Sequence, residues 1–177
     1  MLKELFNENI VDNCCIIVSD SPKTKYVFDE NLLVCINILG NIKDDLEDAI
    51  NDDYVNFLIC VDTLFELNIA ERILELKQKY PHIKLICLLG NCPRNLTKSQ
   101  ILRYQKVKKD ADKCIFFERD DGAEGKEIKY KLLIDNSSKV ITFEWGDYIV
   151  YKSLMYAKRK RLHIKYVKLN NDNICIF

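Results

Sequence analysis

Asp62 and Glu66 stand four residues apart in the stretch VDTLFEL, where an apolar run gives way to a helical pattern. Two carboxylates one helical turn apart share a face. Such a pair could hold a ribose hydroxyl or divide acid/base work. Acids at the start of a helix also suit the positive end of its dipole, which is the plainer reading. Lys158, Arg159, Lys160 and Arg161 form a run of four cations. They could meet nucleic-acid phosphates, or simply place positive charge at a helix C-terminus. No aromatic residues interleave with that run in a stacking pattern. Trp145 beside Gly146 could stack on a base or cover the core.

Other chemistry is missing. The sequence has no Gly-x-Gly-x-x-Gly and no P-loop, so a standard dinucleotide or Walker site is not expected. Its eight cysteines sit mostly inside apolar runs, such as Cys14-Cys15 before IIV and Cys87 in LICLL. They read as small buried hydrophobes. The N-terminus carries acids and no long apolar stretch, so no export signal is expected, and the thiols read as reduced in a cytoplasmic protein. Cys87 and Cys92 do not have a usual zinc spacing, and His82 and His163, the two histidines, read as surface or strand-edge residues. No catalytic residue, no metal site and no cofactor is expected.

The elements that must position these residues follow from periodicity. The chain has 177 residues, 48% hydrophobic and 31% charged, which fits one globular domain over 1–177. Apolar runs predict strands at 14–18, 54–61, 83–89, 113–118, 140–143 and 163–169, with a further terminal strand at 174–177. Amphipathic spacing predicts helices over 31–50, 64–79, 97–111, from the end of a loop at 119–125 to 136, and over 148–161. The alternation predicts an α/β, Rossmann-like fold: a mainly parallel open sheet with helices on both faces. No run of ~18 apolar residues exists, so no membrane span is expected.

Charge is unevenly spread. Residues 1–75 hold 5 basic and 16 acidic side chains, whereas 76–125 hold 11 and 6, and 126–177 hold 11 and 5. If the acidic and basic parts lay on different sides of one sheet, the molecule would be a strong dipole suited to a charged protein partner or to self-association.

Several segments together resemble the YpsA-like branch of the SLOG superfamily, Rossmann-like domains related to the DprA and LOG proteins. Residues 71–86 (ERILELKQKYPHIKLI) look like that branch's helix and third strand. Arg103-Tyr104 and Ala111-Asp112 are similar to its next helix, Leu133 to Ser137 to its turn before the fifth strand, and Met155 to Lys160 to its last helix. The resemblance spans roughly residues 14–168. It implies a nucleotide-related crevice at the carboxyl end of the sheet, and through DprA relatives it implies that single-strand binding is open to the fold.

The loops depart from the family. Its first loop reads Thr-Gly-His-Arg-Pro, where this chain has Val18-Ser19-Asp20-Ser21-Pro22. Its second reads Ser-Gly-x-x-x-Gly-x-Asp, where residues 59–66 read ICVDTLFE. Its third has Gly-Gly-Thr, where Gly146 is followed by Asp147-Tyr148-Ile149. Glycine lets backbone N–H groups approach a phosphate at a helix N-terminus, and here side chains and acids replace it. The LOG phosphoribohydrolase motif is absent. The expected ligand-facing set is Ser19, Asp20, Asp62, Thr63, Glu66, Trp145 and Gly146. Its acids predict a negative potential, with any ligand neutral or cationic, or a crevice filled by Leu64, Tyr148 and Ile149. The resulting expectation is a non-catalytic SLOG-like binding or regulatory module with decayed nucleotide-binding loops. Its alternative is a sensor or enzyme that takes a small nucleotide-like ligand through altered loops.

Overall fold

Continuous apolar runs become parallel strands only where both faces are covered. The structure, a computed structural model, describes residues 12–18, 33–90, 96–117, 122–143 and 147–168. The described strands are β1 (Asn13–Val18), β2 (Asn56–Cys60), β3 (Lys84–Leu89), β4 (Lys113–Phe116), β5 (Lys139–Phe143) and β6 (His163–Tyr166). They alternate with helices α1 (Leu33–Asn51), α2 (Leu64–Lys79), α3 (Lys98–Asp110), α4 (Gly122–Asp135) and α5 (Tyr148–Arg159). The strands form one sheet in the order β4-β3-β2-β1-β5-β6, every pair parallel.

That order fixes the layers. The chain steps outward from β1 to β4, then crosses to β5 and β6 on the other side of β1. Right-handed crossovers therefore put α1, α2 and α3 on one face and α4 and α5 on the other. Alternating residues of each strand serve the two cores. Cys14 and Ile16 join Ile42, Phe57, Ile73 and Leu85 under α1–α3. Cys15 and Ile17 join Leu58, Leu88, Tyr130 and Leu154 under α4 and α5. The central strands β2 and β5 are buried throughout, while β4 and β6 form the edges and are partly exposed.

Local sequence sets the helix ends. Thr97 and Gln100 close a capping box at the start of α3, with Thr97 N–H donating to Gln100 Oε1 at 2.9 Å. Pro81 follows the C-cap Tyr80 of α2, where the helix cannot continue. α5 ends in a Schellman turn: Leu162 N–H donates to Ala157 O and Arg161 N–H to Lys158 O. Arg161 occupies the left-handed position of that turn, φ 61°, and Asp53 the equivalent one after α1, φ 67°.

The expected architecture holds, with local differences. The strands are shorter at several ends: 54–61 narrows to Asn56–Cys60 and 163–169 to His163–Tyr166. α4 begins at Gly122, inside the expected loop, because good helix formers and the first-turn Glu124 carry the helix through Gly125. The predicted strand at 174–177 lies outside the described residues. His82 and His163 are exposed, the latter opening the edge strand. Acidic α1 and basic α3 share one face, at opposite ends of it with α2 between them, and basic α5 lies on the other face, so charge is separated both across the sheet and through it. Much of α1's charge is answered locally, by Lys79 on Glu47 and by Lys165 on Asp45 and Asp48. Among the described residues no helix is long and apolar enough to cross a membrane.

Candidate functional site

Ligands of open parallel sheets sit beyond the carboxyl ends of the strands, where the strand order reverses. Here that point lies between β1 and β5. Ser19, Asp20, Trp145 and Gly146, which follow those two strands, lie outside the described residues. The adjoining strand end, that of β2, carries Asp62, Thr63 and Glu66.

The structure brings these three together, but on each other and on α4. Thr63 is the N-cap of α2, its Oγ1 accepting Glu66 N–H at 3.2 Å. Asp62 precedes the cap, so it does not share a helix face with Glu66 as the four-residue spacing suggested. Instead Glu66 reaches back. Its Oε2 accepts Asp62 N–H at 2.9 Å and the Thr63 hydroxyl at 3.1 Å, and its Oε1 accepts the Tyr130 hydroxyl at 3.0 Å. Glu66 is 1% exposed. It is a buried structural acid, not an exposed helix-start charge.

Asp62 has its own partners. Oδ1 accepts Gly90 N–H at 3.2 Å, beyond β3, and Oδ2 accepts Lys129 Nζ at 2.6 Å. The Lys129 side chain is 1% exposed, that of Asp62 16%. A lysine desolvated to that degree needs its counter-ion. The network thus ties the ends of β2 and β3, the start of α2 and the middle of α4. Lys129 thus answers part of the negative charge that Asp62 and Glu66 bring to this strand end.

Two further groups lose ligand chemistry in the same way. Asp147 is the N-cap of α5, its Oδ1 accepting Ile149 N–H at 2.8 Å and Val150 N–H at 3.4 Å. The helix end that could receive a phosphate is therefore capped by the chain's own carboxylate. Cys60 is fully buried; desolvation, and then the charges of Glu66 and Asp62, push its thiol well above the usual range. It is no nucleophile. Of the expected crevice fillers, Leu64 and Ile149 are half-buried against the two cores, but Tyr148 is 67% exposed and fills nothing.

Lys129 and Tyr130 were not expected from sequence. One signal points to Lys129: it falls three and four residues before Leu132 and Leu133, on the apolar side of its helix, where a lysine requires a buried partner. The identity of that partner depends on the crossover from β4 to β5, which no local pattern encodes.

Elsewhere, Cys87 and Cys114 are register partners on β3 and β4. A hydrogen bond from Cys87 brings the half-exposed Cys114 thiol down to about 7, while Cys87 is pushed up. The six cysteines among the described residues are free thiols; Cys92 and Cys175 lie outside them. No cluster of three or more potential metal ligands occurs among the described residues.

Topology and layers make the protein a member of the Rossmann-like class of open, all-parallel α/β folds. No family model matches the chain, and no curated protein sequence matches it either.

Proposed function

We propose that this chain is a non-catalytic, SLOG-like binding or regulatory module whose nucleotide-binding loops have decayed. One observation carries the reading: the starts of α2 and α5, the two helix N-termini where the family's second and third loops would hold phosphate, are both capped by the chain's own side chains. Thr63 and Glu66 occupy the first and Asp147 the second. A helix N-terminus attracts anions through unpaired N–H groups and its dipole. A carboxylate already bonded there removes the donors and repels the phosphate. Asp62 is likewise committed to Lys129, so it is not poised to hold a ribose or move a proton.

The test is thermal denaturation against a panel of nucleotides, each with and without magnesium. A ligand at 100 times its Kd stabilises a folded protein by about 2.7 kcal/mol, which shifts the midpoint measurably. The expected result is no saturable shift at millimolar nucleotide. A saturable rise with any member of the panel overturns the reading and favours a sensor or enzyme with altered loops.

A further inference from the structure

Cys87 of β3 and Cys114 of β4 stand opposite each other in the parallel ladder. Neighbouring strands lie about 4.8 Å apart, inside the Cα separation of about 4.4–6.8 Å that a disulfide spans. Both side chains serve the same face of the sheet: Cys87 belongs to the core under α1–α3, and Cys114 packs against that core. The other described cysteines of the sheet have different partners. Cys14 and Cys15 of β1 pair with Phe57 and Leu58 on one side and with Lys139 and Val140 on the other, and Cys60 of β2 pairs with Leu88.

The two thiols differ in access and in chemistry. Cys87 is fully buried, whereas Cys114 is partly exposed on the outermost strand. As a thiol, Cys114 donates to Lys108 O at 3.4 Å, in the last turn of α3. As a thiolate it accepts a hydrogen bond from Cys87, which is the main reason its value falls to about 7; partial burial opposes this and the Lys108 charge assists it. At neutral pH roughly half of Cys114 is therefore thiolate, the form that reacts. Cys87 is pushed well above the usual range and remains a thiol. Two cysteines that merely filled space would both be buried and inert, as Cys14 and Cys60 are.

We propose that Cys114 is a site of reversible oxidation by hydroperoxides, with Cys87 as its resolving thiol. The Cys114 thiolate attacks one peroxide oxygen; an S–O bond forms, the O–O bond breaks, and the leaving oxygen takes up a proton, giving a sulfenic acid and water. The Cys87 sulfur then attacks the Cys114 sulfur. The S–S bond forms, the S–O bond breaks, and the Cys87 proton departs with the hydroxyl as a second water. Two thiols and one hydrogen peroxide thus become one disulfide and two waters, the sulfurs giving up two electrons to the peroxide. The bridge ties the edge strand β4 to β3 around a loop that contains α3, and it removes the Cys114 hydrogen bond to Lys108 O. The proposal concerns the β3–β4 edge and does not rest on the state of the carboxyl-end crevice.

The test uses the full chain carrying Cys92→Ser, because trypsin leaves Cys87 and Cys92 together in residues 85–94 and Cys114 in residues 114–119. The folded protein is treated with a small molar excess of hydrogen peroxide, quenched, and alkylated in urea. Of the eight cysteines, seven remain after the substitution, and five should still be alkylated after oxidation. Peptide 85–94 should be recovered joined to 114–119, and dithiothreitol should restore all seven thiols. Cys114→Ser, at a partly exposed position, should keep the melting temperature and leave Cys87 reduced. Cys87→Ala should form no bridge and leave Cys114 as a sulfenic acid that dimedone captures. Three results would each overturn the proposal: a Cys114 that stays reduced, a Cys114 that passes to sulfinic acid in the presence of Cys87, or a bridge from Cys114 to another cysteine or to a second copy of the chain.

Discussion

The start of α2 and the outer face of α5 carry similar numbers of charges and use them in opposite ways. At the start of α2, Asp62, Glu66 and Lys129 are drawn into one network with Tyr130, and Glu66 and Lys129 are 1% exposed as residue and side chain respectively. On α5, Lys158 and Arg159 stand in solvent. The contrast teaches that a charge's position in a fold's usual binding region does not make it a binding charge. What counts is whether its hydrogen-bonding capacity is already committed within the chain. By that measure the carboxyl-end acids belong to the scaffold, whereas Lys158 and Arg159 of α5 are exposed with no carboxylate partner among the described residues.

The largest expected effect lies in the buried network. Glu66→Ala removes the carboxylate that accepts the buried Tyr130 hydroxyl, the Thr63 hydroxyl and the Asp62 N–H. Each hydrogen bond lost to a charged acceptor costs about 1.5–3 kcal/mol, so a loss of roughly 2–5 kcal/mol is expected in urea denaturation. A loss under ~0.5 kcal/mol would place Glu66 on the same footing as the α5 cations and break the comparison.

The next effect appears at high pH. Burial raises Cys15 from 9.0 to about 12 and pushes Cys14 and Cys60 upward as well. The folded state disfavours these thiolates. Stability is therefore fully present below the unfolded value near 9 and is lost as pH rises from there toward 12. Each such thiol contributes a slope of about 1.4 kcal/mol per pH unit in that window. Urea midpoints at pH 8 and 10.5 check this, and an unchanged midpoint contradicts it.

Smaller effects belong to the exposed region. Arg161→Gly relieves a left-handed arginine and should stabilise by about 0.5–1 kcal/mol. Arg159→Ala should change stability by less than ~0.5 kcal/mol, as for other exposed charges. Both are read from denaturation midpoints. Destabilisation by more than about 1 kcal/mol in either would mean that the face is part of the scaffold after all.

Much of this frame is legible in the sequence. Leu64, Leu67, Ala70, Ile73 and Leu74 step through α2, and Pro81 marks its end. Phe57–Cys60 of β2 and Leu85–Leu89 of β3 are apolar runs because both faces of the sheet are covered, α2 packing on β2 and β3 and α4 on β1 and β2. Thr97 announces the capping box of α3. The site is less legible because its bonds are long in sequence: Lys129 meets Asp62 across 67 residues and Tyr130 meets Glu66 across 64. Local spacing suggested an Asp62–Glu66 pair on one face, whereas the N-cap at Thr63 separates them. On α5, Lys158 lies over the Tyr166 ring, a contact that only the neighbouring β6 supplies.

The central claim, that the carboxyl-end acids serve the scaffold, is tested most directly by a double-mutant cycle on Asp62 and Lys129. Asp62→Ala, Lys129→Met and the double variant would be unfolded in urea, with and without nucleotide. The account predicts that each single change costs about 3–5 kcal/mol, since each removes one partner of a buried ion pair. The double variant should recover about 2–3 kcal/mol relative to the sum, with no dependence on nucleotide. Additive single effects below ~0.5 kcal/mol, together with nucleotide stabilisation of the wild type that Asp62→Ala abolishes, would contradict it.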